Sequence, residues 1–130
     1  MMSGLRKILY VEDDVDIQMI ARLSLETVGG YDLMLCDSGA EALTQAAGYG
    51  PDLLLLDMML PDMDGPETLS RLRADAQLSS VPAVFLTART DAWLGPAWRD
   101  QGVIGVLRKP FDPMTLPEQV GALWAEWCSQ

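Results

Sequence analysis

Residues that could carry chemistry stand at the ends of short apolar runs in the chain. Two acids close the first run, an acid closes the third, a threonine closes the fourth and a lysine follows the fifth: Glu12, Asp13, Asp57, Thr87 and Lys109. Taken singly, each has an ordinary structural explanation as a helix start, a turn or a strand end. Their joint placement favours one shared site, because parallel strands bring their carboxyl ends to one edge of a sheet, where ligands bind.

Such a set of side chains has a defined chemical use. Two carboxylates about 4 Å apart repel each other by ~4 kcal/mol at an effective dielectric constant of about 20, so three of them need a cation. Hard oxygen ligands favour Mg²⁺, which keeps several waters and completes its shell with a substrate phosphate. Lys109 supplies a positive charge for one phosphoryl oxygen, and the Thr87 hydroxyl group can donate to another. The set therefore suits phosphoryl transfer to a carboxylate nucleophile.

The elements that must position these residues follow from the hydrophobic pattern. Apolar runs bounded by turn residues predict strands at residues 5–11, 31–36, 52–58, 82–87 and 103–107. Helical spacing predicts helices at residues 17–28, 40–47 and 67–74. Ser38 with Glu41 and Asp64 with Glu67 have the spacing of helix capping boxes. Strands apolar on both faces that alternate with helices predict an α/β fold, a doubly wound parallel sheet covered on each side.

The last third of the chain is less regular. Gly95-Pro96 falls where the fourth helix belongs, and we expect that helix to be broken or shortened. Pro117 falls inside the expected fifth helix, where an interior proline costs about 3 kcal/mol. The fifth helix is therefore predicted to start late, capped by Thr115 with Glu118 at the third helical position.

Composition excludes several classes of function. The 130 residues, 49% of them hydrophobic, suffice for one core, and we expect a single domain over residues 1–130 with no output domain. No apolar run is long enough for a membrane span or a secretion signal, which indicates a cytoplasmic protein. The net charge of -10 argues against direct nucleic-acid binding, and the absence of histidine excludes a Ser-His-Asp triad and a phosphohistidine carrier. Cys36 and Cys128 lack metal-type spacing and are interpreted as buried or incidental thiols.

Four segments resemble the receiver domains of two-component response regulators, and the resemblance covers nearly the whole chain. Residues 7–14 (KILYVEDD) are similar to the family's first strand and acidic pair. Residues 56–65 (LDMMLPDMDG) are similar to its phosphorylation segment and are the most diagnostic stretch. Thr87-Ala88 matches the switch hydroxyl group followed by a small residue, and Lys109-Pro110-Phe111 matches the family's lysine with its typically cis proline bond.

The resemblance implies a fold and a set of site residues. The implied fold is a flavodoxin-like, five-stranded parallel sheet of order 2-1-3-4-5, flanked by helices. Asp57 takes the position of the phospho-acceptor. The Mg²⁺ positions are those of Glu12, Asp13, Asp57 and the backbone carbonyl group of Met59.

A mechanism and partners are implied as well. A histidine kinase or a histidine phosphotransfer protein donates the phosphoryl group, and the chain catalyses only its own phosphorylation and dephosphorylation. The new charge draws Thr87 and Lys109 toward it and switches a surface of the fourth helix, fifth strand and fifth helix for partner binding or homodimer formation. The chain would then be a stand-alone response regulator. The alternatives are a phosphate sink or relay intermediate, or a module that binds partners without phosphorylation.

Some positions depart from the family pattern. Three residues before the lysine the family often has an aromatic residue that turns inward, whereas this chain has Val106. Switching is then expected to be weaker, or to use Thr87 with a rearranged fourth helix. Met59 and Arg89 occupy positions that tune water access to the phosphoryl group, and a methionine there is expected to slow self-hydrolysis. Core packing is the favoured interpretation, and a partner or dimer surface the alternative, for the four tryptophans Trp93, Trp98, Trp124 and Trp127.

Two other classes of protein use related chemistry and are disfavoured. An aspartyl-nucleophile phosphatase needs a second aspartate two residues after the nucleophile, where this chain has Met59. A flavin or nucleotide module on the same fold needs a glycine-rich or hydroxyl-rich phosphate loop after the first strand. The acidic residues at that point would repel a phosphate group.

Overall fold

Five parallel strands form the centre of the molecule. A computed structural model describes residues 4–88 and 100–129, and the sheet in it has the order β2-β1-β3-β4-β5. The strands are β1 (Lys7–Val11), β2 (Asp32–Cys36), β3 (Leu53–Asp57), β4 (Ala83–Thr87) and β5 (Val103–Arg108). The predicted α/β class and strand order are confirmed. The chain turns back across the sheet between β1 and β3, so the carboxyl ends of these two neighbours flank the expected ligand crevice.

Helices cover both faces of the sheet. The first helical segment consists of α1 (Val15–Arg22) and a continuing π-helical turn (Leu23–Val28). It is followed by α2 (Gly39–Tyr49), α3 (Gly65–Arg73) and, after β5, the C-terminal helix (Leu116–Cys128). The sequence-based bounds of the strands and of the first three helical segments differ from the observed ones by no more than two residues at either end.

Burial explains why the apolar runs are strands of a covered sheet. All five residues of β3 and all five of β4 are buried, which requires packing on both faces. One core layer lies between the sheet and the first and last helices, and includes Tyr10, Leu25, Leu55, Val120 and Trp124. The second core layer lies on the side of α2 and α3 and includes Leu9, Leu54, Leu56, Leu69 and Phe85.

Polar residues fix where the helices begin. The Ser38 hydroxyl oxygen accepts a hydrogen bond from the Glu41 amide at 3.1 Å, and an Asp64 carboxylate oxygen accepts one from the Glu67 amide at 2.8 Å. Both predicted N-terminal caps are therefore confirmed. The reciprocal bond of the first box is shifted by one residue, since the Glu41 carboxylate accepts from the Asp37 amide at 2.7 Å.

The C-terminal helix starts late, as predicted, but its predicted cap is wrong. Pro117 lies in the first turn, where its missing N–H group leaves no helical bond unmade. Thr115 has helical backbone angles (φ -106°, ψ -17°) and, within the described residues, its side chain makes no capping bond. Its hydroxyl group contacts the Asp112 carbonyl oxygen at 3.4 Å instead. A residue with helical angles points its side chain away from the amides it would have to cap.

The tryptophans of the C-terminal helix belong to the core. Trp124 is buried and Trp127 is half-buried, with ring centroids 5.2 Å apart, so core packing is confirmed for this pair. Trp93, Trp98 and Gly95-Pro96, together with the predictions made for them, lie outside the described residues.

Two further predictions concern the thiols and the membrane. Cys36 is a buried free thiol and Cys128 an exposed free thiol, which agrees with their interpretation as buried or incidental thiols. None of the helices in the described ranges combines the length and the apolar character that crossing a bilayer requires.

Asp62 fastens the loop after β3 to the beginning of α2. Its carboxylate oxygens accept hydrogen bonds from the backbone amides of Ala40 at 2.9 Å and Gly39 at 3.1 Å. These amides, that of Ala40 foremost, lower the pKa of the Asp62 carboxyl group from its ordinary value. The loop that leaves the end of β3 is thus tied to a neighbouring helix by a charged group.

We expect Asp62→Ala to lower the unfolding temperature at neutral pH and to have little effect in acid. Because folding lowers this pKa, the stabilisation is present above the unfolded pKa of about 3.9 and is lost as pH falls through the folded pKa. Thermal unfolding of Asp62→Ala and of the unaltered protein, measured from neutral pH down to below the folded pKa of Asp62, checks the prediction. The two unfolding temperatures should converge at the acid end, and a difference independent of pH would contradict the assignment.

Candidate functional site

The carboxyl ends of the strands surround an open cavity of about 280 Å³. Its lining consists of Glu12, Asp13, Asp14, Ile17, Asp57, Met59, Thr87, Ala88 and Lys109. Seven of these nine residues are among those singled out from the sequence, and they come from four strands or from the turns that directly follow them. Asp14 and Ile17, from the beginning of α1, are the additions.

Three carboxylates lie together in this cavity. Glu12, Asp13 and Asp57 each offer an oxygen atom, and these atoms lie within 4.8 Å of one another. Glu12 and Asp57 are buried, at 0% and 4% exposure, whereas Asp13 is exposed. Buried like charges at this separation repel strongly unless a cation offsets them. A set made only of hard oxygen atoms, open to solvent on one side, fits Mg²⁺, which retains several waters.

Lys109 joins two of the acids. Its ammonium group donates to Glu12 Oε1 at 2.9 Å and to Asp57 Oδ2 at 2.8 Å. Burial alone would lower the pKa of Lys109, but hydrogen bonds and charge attraction from Asp57 and Glu12 outweigh it and raise the pKa. The lysine backbone is placed by a bond from its amide to the Thr87 carbonyl oxygen at 2.8 Å, and the Lys109-Pro110 peptide bond is cis.

The loop after β3 folds back closely over Asp57. The Met59 amide donates to Asp57 Oδ1 at 3.1 Å, so each carboxylate oxygen of Asp57 accepts a hydrogen bond in the cavity. Gly65 begins α3 directly against this loop, and a Cβ atom there would lie only 2.7 Å from the Asp57 carbonyl oxygen. A residue without a side chain is therefore needed where the helix approaches the strand end.

Thr87 and Ala88 close the side of the cavity next to Lys109. Thr87 ends β4 and is 6% exposed, and it pairs with Arg108 in the sheet, one position before the lysine. Asp57 pairs with Leu86, so Thr87 lies one residue further toward the cavity than the acid on the neighbouring strand. This register brings a hydroxyl group, a carboxylate and an ammonium group to one end of three adjacent strands.

Of the positions predicted to tune the site, Met59, Val106 and Arg89, the structure describes Met59 and Val106, and of these two only Met59 lines the cavity. Met59 is 79% exposed and lies beside Asp57 in the cavity lining. Val106 is half-buried against the second core layer and is not among the described residues of the cavity lining. Arg89 lies outside the described residues.

Tyr10 is a polar residue of the site that the sequence reading missed. Its hydroxyl group donates to Glu12 Oε1 at 3.0 Å from within the first core layer. Burial, followed by the charge of Glu12, raises the pKa of this hydroxyl group well above its ordinary value, so it remains a donor. The sequence did contain a signal for this contact: Tyr10 is the one aromatic residue of β1, and it stands two positions before Glu12 and hence on the same face.

The fold and the cavity together define a class of protein. The family model for the response regulator receiver domain matches residues 8–121, and the chain belongs to this family. Receiver domains are signalling modules of two-component systems, as the resemblance of the four motif segments implies.

Curated relatives and solved structures agree with this assignment. The chain is 38% identical over 117 residues to the DNA-binding response regulator MtrA of Mycobacterium tuberculosis, covering 90% of this chain and 50% of the relative. It is 35% identical over 118 residues to the alkaline phosphatase synthesis transcriptional regulatory protein PhoP of Bacillus subtilis, covering 91% and 48%. The chain thus spans about half the length of these relatives.

Solved structures of similar length match almost completely. The chemotaxis response regulator CheY4 of Vibrio cholerae has a TM-score of 0.78 and 28% identity, with 92% of this chain and 99% of that chain covered. A putative response regulator of Chloroflexus aurantiacus has a TM-score of 0.79 and 32% identity, with coverage of 92% and 98%.

Proposed function

We propose that this receiver domain accepts a phosphoryl group on Asp57 in a Mg²⁺-dependent reaction. The observation that carries the proposal is the environment of that side chain. Asp57 lines a solvent-open cavity, one of its oxygens is bonded to the Lys109 ammonium group at 2.8 Å, and Glu12 and Asp13 each offer a carboxylate oxygen within 4.8 Å of one of its own. This is a nucleophile with a fixed cation beside it and a place for a second cation.

The metal would be held by the side chains of Glu12, Asp13 and Asp57 and by the Met59 backbone carbonyl group. When bound, Mg²⁺ supplies positive charge that offsets charge on the phosphoryl oxygens. The chain's own residues do the positioning. The Met59 amide holds one oxygen of Asp57, and Lys109 is close enough to turn from the carboxylate to a phosphoryl oxygen.

The transfer step is a displacement at phosphorus. An Asp57 oxygen forms a bond to phosphorus while the bond from phosphorus to the imidazole nitrogen of the donor's phosphohistidine breaks, and that nitrogen keeps the electron pair. The product is an acyl phosphate on Asp57 and a free histidine on the donor. Since these 130 residues include no histidine, the donor histidine lies outside this domain, on a histidine kinase or a histidine phosphotransfer protein.

Phosphorylation then redistributes the contacts of the cavity. The phosphoryl group carries about -1.5 to -2 charges at neutral pH. This negative charge is larger than that of the Asp57 carboxylate, which Lys109 neutralises in the unphosphorylated protein. Lys109 and the Thr87 hydroxyl group are drawn toward the phosphoryl group, which shifts the conformational equilibrium of β5 and of the C-terminal helix beside it. Because Val106 cannot act as an aromatic relay, the switch depends on these two residues. The net charge of -10 favours readout by protein partners or a second copy over direct contact with nucleic acid.

The first helical segment, α1 with its π-helical turn, offers a surface for the donor protein. Val15, Met19 and Leu23 are 66%, 68% and 55% exposed and are spaced four residues apart, which puts them on one face. The helix begins directly after the acidic residues, and Ile17 lines the cavity. An exposed apolar stripe beside the cavity suits a partner that must hold its phosphohistidine above Asp57.

We expect Met19→Glu to slow phosphorylation by a histidine kinase by about tenfold or more, the loss from one central apolar contact. Phosphorylation by acetyl phosphate should be unchanged, because this small donor needs no docking surface. Transfer from a panel of autophosphorylated kinases measures the first rate, and labelling by acetyl phosphate measures the second. Gln45→Glu on α2 is the matched control in both assays. Equal rates for Met19→Glu and the unaltered protein with every active kinase would contradict docking on α1.

The direct test of the proposed function is incubation of the unaltered chain with acetyl phosphate. Its intact mass should increase by one phosphoryl group in the presence of Mg²⁺ and stay constant in EDTA. The product should be cleaved by hydroxylamine, as an acyl phosphate is. The proposal would be overturned if the chain acquired no phosphoryl group at any Mg²⁺ concentration and its tryptophan fluorescence did not change on adding beryllofluoride.

A further inference from the structure

The Glu12 carboxylate is held by three donors from three parts of the chain. Oε1 accepts from the Tyr10 hydroxyl group at 3.0 Å and from the Lys109 ammonium group at 2.9 Å. Oε2 accepts from the Asp14 amide at 3.1 Å. Two of these donors, Lys109 and the Asp14 amide, belong to the phosphoryl cavity itself, whereas Tyr10 reaches Glu12 from the core.

Tyr10 is rigidly placed for this contact. Both Tyr10 and Glu12 are completely buried, and the tyrosine ring packs in the first core layer with Ala21 and Leu25 of the first helical segment. Packing fixes the ring, so its hydroxyl group points at Glu12 without further loss of side-chain freedom. Glutamate has one more rotatable bond than aspartate, and a buried glutamate therefore depends more on such a partner for a single orientation.

We propose that Tyr10 is a positioning residue for the divalent-cation site, because it fixes the orientation of the Glu12 carboxylate. This inference rests on the proposed function and extends it to a residue that touches neither metal nor phosphoryl group. Groups that orient metal ligands are worth about 10-fold to 100-fold in metal affinity. The competing explanation is that the tyrosine only fills the core, in which case its hydroxyl group has no effect on cation binding.

Tyr10→Phe separates the two explanations, since it removes the hydroxyl group and keeps the ring. The dissociation constant for Mg²⁺ is expected to rise by about tenfold, measured from amide chemical shifts in a Mg²⁺ titration. Tyr49→Phe is the matched control, because the Tyr49 hydroxyl group also donates to a carboxylate, Asp32 Oδ1 at 2.6 Å, at the amino end of the sheet. A dissociation constant for Tyr10→Phe within twofold of the unaltered protein, or an equal change in Tyr49→Phe, would overturn the inference.

Glu12→Asp allows a second test, in which Mg²⁺ affinity is measured for the double substitution. The shorter acid withdraws from the tyrosine, so Tyr10→Phe should cause little additional loss of Mg²⁺ affinity in that background. Full additivity of the two substitutions would mean that the tyrosine does not act through Glu12.

A measurement on the unaltered chain covers the case that Tyr10→Phe does not fold. With ¹³Cζ-labelled tyrosine the three tyrosines give three signals, and Mg²⁺ should shift that of Tyr10 and leave that of Tyr49 in place. An unmoved Tyr10 signal at saturating Mg²⁺ contradicts the inference. If instead the unaltered chain binds no Mg²⁺, the proposed function fails first.

Discussion

Asp57→Asn is expected to acquire no phosphoryl group from acetyl phosphate in the presence of Mg²⁺. The amide is a poor nucleophile and cannot form an acyl phosphate, so labelling should fall to the background of the EDTA control. The fold should persist, because the substitution keeps the size of the side chain and removes one of two buried like charges. Intact mass after incubation measures the labelling, and circular dichroism checks the fold.

Asp16→Asn is the matched control for this prediction. Asp16 is an exposed acid in the first turn of α1, close to the cavity in sequence but absent from its described lining. It should be labelled as fast as the unaltered chain. If Asp57→Asn still gained one phosphoryl group at the normal rate, the acceptor would be another residue and the assignment of the site would be wrong.

Lys109→Met is expected to have the largest effect on stability. The substitution leaves Glu12 and Asp57 buried without their cation, and loss of one partner of a buried ion pair typically costs about 3–5 kcal/mol. Mg²⁺ should restore much of this loss, since an ion that binds only the folded state stabilises it. Urea unfolding in EDTA and in Mg²⁺ measures both quantities. Mg²⁺ should increase the free energy of unfolding by more for Lys109→Met than for the unaltered protein.

Lys7→Met tests whether the effect belongs to the cavity. Lys7 is an exposed lysine at the beginning of β1, where it donates to the Tyr49 carbonyl oxygen at 3.2 Å. Its loss should change the free energy of unfolding by less than about 0.5 kcal/mol, with or without Mg²⁺. A Lys109→Met protein as stable as Lys7→Met in EDTA would show that Glu12 and Asp57 need no internal cation.

The sequence predicts the strands and the cavity well for a physical reason. Uninterrupted apolar runs such as LLLL in β3 have few alternatives to a strand covered on both faces. Once the strands are parallel, the acid, hydroxyl and lysine residues that end them must meet. The position of Asp57 beside Lys109 therefore depends on topology more than on local detail.

Other features depend on details that periodicity does not contain. Thr115 is of the right type for a cap, but its backbone angles are set by the loop before it. The contact from Tyr10 to Glu12 depends on the direction of a ring inside the core, which follows from packing. The placement of Val106 against the second core layer is likewise a matter of packing between neighbours.

Gly65 limits how this sequence can diverge. Its missing side chain leaves room for the Asp57 carbonyl oxygen, the Met58 backbone and the Phe85 ring, and backbone atoms cannot yield to a new methyl group. Alanine at this position would push the helix off the strand and disturb the backbone of Asp57. In a mutational scan of the chain, substitutions of Gly65 would then impair function, although glycine has no side chain that could take part in chemistry. At this edge of the sheet, a position can therefore be intolerant of substitution because space around Asp57 is limited, and not only because its side chain takes part in chemistry.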